Sequence, residues 1–470
     1  MSTLITGGTV ISSTGADRYD VLIDGETIVA LLAPGSELAA SAARGADRII
    51  DATRRYVIPG GVDAHTHMGV PFGETFASDD FESGTTAAAW GGTTTIIDFA
   101  VQMVGEQVQE GLEARFAEAE GNCAIDYAFH QIIGDVNETS LKAMDSLVEE
   151  GITSFKLFMA YPGVYLSDDR QILLAMQQAA ANGSMIMMHA ENGIAIDLLA
   201  EQAVARGETE PINHGYVRRP ELEAEATHRA IQLAKVGAAP LYIVHLSASQ
   251  ALEQVAAARS NGANVFAETC PQYLYLNLED HLGAPGFAGA GYVCSTPLRS
   301  KHEHHHADLW NGLRTNDLSV VATDHCPFCM KDQKELGLDD FRAIPNGIGG
   351  VEHRMDLIYQ GVVQGEITLP RWVELCATTP ARMFGLYPRK GVIQPGADAD
   401  IVLYDPDATW TISVDNHHMN MDYSAYEGIE IRGRVDTVLS RGEVIIENGS
   451  YNGRAGHGRY LRRSLSQYLV

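Results

Sequence analysis

Positive charge is scarce: 33 lysines and arginines face 61 aspartates and glutamates, a formal charge of −28. Nucleic acid and anionic membranes are bound by basic faces, so this balance argues against both partners. Cysteine is scarce too, with six in 470 residues (Cys123, Cys270, Cys294, Cys326, Cys329, Cys376) and no regular spacing. Reduced thiols in a cytoplasm are expected, not a disulfide framework. Cys326-Pro-Phe-Cys329 has no second pair to complete a zinc knuckle, and a redox pair is its functional alternative. No run of 18 apolar residues is present, so no membrane span is expected. The start, Met1-Ser-Thr-Leu-Ile-Thr-Gly-Gly, has no basic segment leading into an apolar one, so no secretory signal is expected. Low-complexity tracts and sequence repeats are also missing.

What is present divides the chain by texture. Residues 3–55 hold short β-like runs between Gly-rich turns, and the same texture returns at 399–446. The two ends are expected to pair into one β-sandwich, residues 1–55 with 390–445. Between 56 and 389, apolar strand-like runs alternate with Ala/Glu/Leu-rich helical stretches, the pattern of parallel βα units. Eight such runs (57–65, 93–99, 124–130, 152–158, 185–189, 241–246, 263–268, 318–324) predict an α/β fold, a (β/α)8 TIM barrel with insertions. Helices are expected over 168–181, with an Asp-rich first turn, and over 221–235. The tail, 446–470, is basic and is expected to dock on its own or a neighbouring subunit, at a subunit interface. Lys301-His-Glu-His-His-His306 reads as a solvated surface in preference to a metal cluster.

Barrel chemistry sits at the C-terminal ends of strands. Those ends carry His65 and His67 after the first run, Lys156 in the fourth, His189 and His245 closing the fifth and sixth, and Asp324 closing the eighth. A single histidine where an apolar run turns polar is commonly a core residue. Four histidines and an aspartate at matching ends point to a metal site. Nitrogen and carboxylate ligands without thiolate suit Zn²⁺, with Mn²⁺, Co²⁺ or Fe²⁺ as alternatives. Five ligands exceed one tetrahedral zinc, and two metals need a bridge. Lys156 lies in Ser-Phe-Lys-Leu-Phe-Met, where burial depresses an amine's pKa. A neutral amine can capture CO₂ as a carbamate, a carboxylate equivalent able to bridge two cations. The competing reading, a Schiff-base lysine, leaves the histidines without work.

Several segments resemble the amidohydrolase superfamily in its cyclic-amidase branch, the dihydropyrimidinases and D-hydantoinases. They are Pro59-Gly-Gly-Val-Asp-Ala-His-Thr-His67, Phe155-Lys-Leu-Phe-Met-Ala-Tyr161, His189-Ala-Glu-Asn192, Val244-His-Leu-Ser247, Glu268-Thr-Cys-Pro-Gln-Tyr273 and Thr323-Asp-His-Cys-Pro-Phe328. Arg219-Pro-Glu-Leu-Glu-Ala-Glu-Ala226, Ile344-Pro-Asn-Gly347 and Gly385-Leu-Tyr-Pro-Arg-Lys-Gly391 extend the likeness over essentially the whole chain. The resemblance implies two Zn²⁺ per subunit, one held by His65, His67 and Asp324, the other by His189 and His245. Carboxylated Lys156 and a hydroxide would bridge them. It implies that Tyr161 polarises the substrate carbonyl and that backbone groups at Ser295 and Asn346 hold the cyclic imide. It places Phe158 and Tyr165 around the exocyclic substituent and Asp63 behind the metal pair. It also implies a homotetramer acting on a small cyclic ureide or imide. Gly69 and Cys329 depart from residues common in that branch and bear on substrate preference more than on chemistry.

Three rivals stand beside that reading. A dihydroorotase would carry an arginine soon after the His-x-His pair, where Met68-Gly-Val-Pro71 stands here. An allantoinase is nearer, since allantoin is itself a hydantoin. A non-catalytic scaffold relative would have lost ligands, and every ligand is present.

Overall fold

The computed structural model describes residues 1–468, and its centre is an eight-stranded parallel sheet rolled into a barrel. In chain order its strands are Gly61–Thr66, Thr93–Gln102, Asp126–Ile133, Ser154–Phe158, Met185–His189, Leu241–Ile243, Val265–Thr269 and Val320–Val321, each hydrogen-bonded to the next. The last is only two residues long, so the seam back to the first strand has no full ladder. It is closed by a bridge between Thr66 and His325, with the His67 amide donating to the His325 carbonyl at 2.8 Å.

Strand alternation sorts the side chains. In Met185–His189, Met185 and Met187 point into the barrel, where they join Val62, Ile97, Ala128, Tyr242, Phe266 and Ala322. Ile186 and Met188 point outward and pack under the surrounding helices. Those helices start where the sequence offers caps. Asp168 accepts the Gln171 amide at 2.8 Å and opens Asp169–Asn182, which ends at Gly183 in the left-handed region (φ 77°). Pro220 takes the first position of the next long helix, Pro220–Gly237.

The chain ends interleave as expected, with two differences in boundary. A four-stranded sheet comes wholly from the N-terminal segment. A seven-stranded sheet sets Tyr56–Pro59 antiparallel to Ile401–Thr411, and Val57, Ile401, Leu403 and Leu439 share one core with Ile5, Val21 and Ile23. The run expected as the first barrel strand, 57–65, is therefore two strands. Tyr56–Pro59 belongs to the sandwich, and the break falls at Gly60, where a Cβ would stand 2.1 Å from Thr94 Oγ1. The sandwich also runs on past 445, through Glu443–Glu447 to Ser450–Tyr451.

The basic tail lies on its own barrel, at the end away from the strand C-termini. Leu461 is fully buried, its amide donates to Tyr127 O at 2.7 Å, and Arg463 reaches Phe129 O and Ser154 Oγ. The final two residues of the expected tail, 469–470, lie outside the described range. The histidine run at 302–306 divides: His302 and His304 are exposed, whereas His305 is buried and accepts the Ser249 amide at 3.0 Å. Among the described residues no helix is long and apolar enough to cross a membrane.

Candidate active site

The six residues picked from strand ends meet at the C-terminal mouth of the barrel. His65 and His67 both aim Nε2 at one point, 3.2 Å apart, and Asp324 Oδ1 lies 3.2 and 3.3 Å from them. Lys156 Nζ is 2.9 Å from His65 Nε2. Across the lysine, His189 Nδ1 faces His245 Nε2 at 2.9 Å. The arrangement is two nitrogen-rich clusters with the amine beside the first.

The tautomers follow from what stands behind each ring. His65 Nδ1 contacts Glu268 Oε1 at 2.5 Å, and His189 Nε2 contacts Glu191 Oε2 at 2.8 Å. Glu191 as a carboxylate keeps the proton on His189 Nε2 and leaves the Nδ1 lone pair facing the site; Glu268 does the same for His65 once it is ionised, the usual backing of a metal-ligating imidazole. Burial pushes His65 and His245 well below the ordinary histidine range, and His67 in the same direction, which favours the neutral rings a metal would need. Burial works against the charge on Asp324, but the surrounding imidazoles outweigh it and hold the carboxyl well below the usual range. Burial likewise opposes ionisation of Glu191, and Arg218, 3.1 Å away, outweighs it.

The donor set fits divalent metal. His65 and His67 bring their Nε2 atoms within 3.2 Å of each other, and His189 Nδ1 and His245 Nε2 stand 2.9 Å apart, so each pair offers two nitrogens to one point. His65, His67 and Asp324 offer three ligand atoms within 4.8 Å of one another. His245 Nδ1 is buried with no hydrogen-bond partner among the described residues. The other acidic group of this kind, Asp126, Asp398 and Asp400, already surrounds Lys390 Nζ at 2.5–3.0 Å. Lys156 is 2% exposed and forms no ion pair among the described residues; burial pulls its pKa down to about 8.

Above the clusters opens a cavity of about 500 Å³. Tyr161, Ser295 and Asn346 form one polar wall. Asn346 Nδ2 donates to Ser295 Oγ at 3.2 Å, and all three residues line the cavity. Burial pushes the Tyr161 phenol up, so it is a neutral donor. The opposite walls are apolar: Phe158 stacks on Tyr165 at 5.0 Å, with Val70, Phe72, Met103 and Ile132 nearby. Cys326 lines the cavity, whereas Cys329 turns its thiol toward Asn420 O. Three of the site residues hold left-handed backbone, Tyr161 (φ 62°), His245 (φ 40°) and Asp324 (φ 52°). Such conformations persist in non-glycine residues where the surroundings enforce them, and they gather at functional sites.

Sequence reasoning assigned no role to Glu191, Glu268 or Arg218. The signal for the first two was available. Glu191 is two residues beyond His189, and Glu268 closes the seventh run as His245 closes the sixth. Asp63 is buried below His65 and accepts the Thr323 hydroxyl at 2.6 Å and the Thr323 amide at 3.1 Å, linking the first strand to the segment after the eighth.

Comparison with known proteins agrees with this geometry. A D-hydantoinase of Streptomyces coelicolor is 63% identical over 468 residues, covering 100% of this chain and 99% of that protein. A D-hydantoinase of Geobacillus stearothermophilus is 44% identical over 466 residues, covering 99% and 97%. The crystal structure of a dihydropyrimidinase from Brevibacillus agri superposes with a TM-score of 0.95 at 45% identity, covering 99% of each chain. The model of the amidohydrolase family matches residues 56–445. By that match and by identity over its whole length, the chain belongs to the amidohydrolase family.

Proposed function

We propose that the protein is a cyclic amidohydrolase that opens dihydropyrimidines, 5-substituted hydantoins or both to N-carbamoyl amino acids. The observation that carries the reading is a pair of carboxylate-backed histidine clusters flanking a buried lysine, beneath the Tyr161–Ser295–Asn346 wall. Relatives named D-hydantoinase and dihydropyrimidinase support the substrate class. His65, His67 and Asp324 would hold one Zn²⁺, His189 and His245 a second. Lys156 would bridge them as a carbamate, its amine having added to CO₂ with loss of a proton. When bound, two such cations supply a Lewis acid for an amide carbonyl and lower the pKa of water toward about 7.

The chain's own residues do the rest. Asp324, held anionic, accepts the proton of the attacking water and passes it to the ring nitrogen as the C–N bond breaks. Tyr161 donates to the oxygen that becomes anionic when the carbonyl is attacked, where a fixed donor counts most. Ser295 and Asn346 hold the ring's imide edge, and Phe158 and Tyr165 face its substituent. A cavity of about 500 Å³ with apolar walls suits a substituted ring.

The test is turnover of dihydrouracil, hydantoin and allantoin by protein of known metal content. Ring opening of one or both of the first two, with about two metals per chain, is expected. Turnover of allantoin alone would replace the reading with an allantoinase, and metal-free inactive protein would replace it with a scaffold. The assembly we infer is a homotetramer with the tail near a subunit contact, measured by sedimentation.

A further inference from the structure

Lys334 is a fully buried lysine in the segment between the eighth barrel strand and Asn346, at the start of the short helix Lys334–Gly337. It forms no ion pair among the described residues. Burying an ammonium without a counter-charge is costly, and such a group normally sheds its proton or finds a carboxylate. Burial pulls the Lys334 pKa down to about 7, and against that pull three main-chain carbonyls stand where an ammonium donates, Val293 O at 3.1 Å, Pro345 O at 2.6 Å and Gly347 O at 2.9 Å. The aromatic face of Phe328, 5.7 Å from Nζ, closes the cage.

The three carbonyls belong to the two segments that form the polar wall. Pro345 and Gly347 flank Asn346, and Val293 lies two residues before Ser295. Val293 O also accepts the Gly347 amide at 2.9 Å, so the ammonium sits where the segments cross. In a trans peptide the carbonyl and the following N–H point in opposite directions. Drawing Pro345 O toward Lys334 therefore turns the Asn346 N–H away from it, and that N–H donates to no described residue. The neighbouring Gln333 ties the same turn to the hairpin strand Thr75–Phe76, donating to Thr75 Oγ1 at 2.8 Å and Phe76 O at 2.7 Å.

We propose that Lys334 is a positioning residue for the ring: its ammonium fixes the Val293–Ser295 and Pro345–Gly347 segments so that their backbone groups meet the imide edge of the substrate. The inference rests on the ring-opening reading above. Lys334 touches neither the metal cluster nor the cavity. Its loss acts on ring binding through the wall, not on metal content.

The experiment compares wild type with Lys334→Met on hydantoin, alongside metal content and thermal unfolding. Expected are full metal loading, a KM raised tenfold or more, and kcat at saturation within about threefold. Lys334→Gln, which keeps one donor group, should recover part of the KM loss. An unchanged KM in folded K334M, whatever its melting temperature, would reduce the lysine to a scaffold role and overturn the proposal. Failure of both variants to fold would do the same. Absence of ring opening by the wild type would instead strike the ring-opening reading itself.

Discussion

Glu268 shows how much a single buried group sets in this site. One oxygen faces His65 Nδ1 and accepts the His245 amide at 3.2 Å, and the other accepts the Tyr242 hydroxyl at 2.8 Å. Burial pushes its carboxyl up to about 8 while pulling the Lys156 amine down to about 8. Without metal, both groups hold their protons below pH 8. A carbamate needs the free amine, and a ligating His65 needs Glu268 ionised. Metal loading must therefore expel protons, and apparent affinity should climb from pH 6 and level off above about 8. Chelator competition across that range in bicarbonate, with proton release followed by an indicator dye, tests this; a flat profile would contradict it. The four histidines and Asp324 that meet at the mouth stood out in the sequence as polar residues closing apolar runs, and Lys156 as a charge inside one. Glu268 carries the same strand-end signal, but an acid there announces neither its protonation nor which imidazole it backs.

Elements were legible where one physical signal acts alone. The helix at 169–182 follows from an Asp cap, helical spacing and a terminal glycine, and it lies within one residue of expectation at each end. The first barrel strand was not separable from Tyr56–Pro59, since alternation says that a segment is a strand and not which sheet it joins. The barrel seam gives a second test. Val320–Val321 is too short to zip against the first strand, and the Asp63–Thr323 contacts take over that role between fully buried groups. Thr323→Val keeps the shape but removes the hydroxyl. Asp63 Oδ2 is then left with Arg354 Nε at 3.7 Å, beyond good hydrogen-bond reach. An oxygen so orphaned costs about 1–3 kcal/mol. Denaturant unfolding should show a loss of that size. Because Thr323 precedes Asp324, metal content should fall with it, and an unaltered unfolding midpoint would deny the seam its role.

At the scale of the molecule, the same barrel is finished differently at its two ends. The C-terminal mouth collects neutral imidazoles and buried carboxylates around a cavity. The opposite end is covered by Phe384, Leu386 and the tail, with Leu461 in the same apolar cluster and Tyr460 packed edge-on against Phe116 at 4.7 Å. The sequence made the tail visible as a basic stretch on an acidic chain, and charge alone suggested docking. It could not place the dock, since Arg463 ends on a carbonyl and a hydroxyl of its own barrel and Arg459 on Glu26. The division of labour between the two ends yields a prediction. Deleting residues 454–470 removes the cover without touching any proposed ligand. Exposing the site of Leu461 alone costs about 1.5–3 kcal/mol, and the apolar ring beneath it is left facing water. The truncated protein should therefore melt several degrees lower and aggregate more readily, while binding the same number of metals per folded chain. Loss of metal at full thermal stability would mean that the two ends are not independent, and that the tail reaches the site through Ser154 and the strand that carries Lys156.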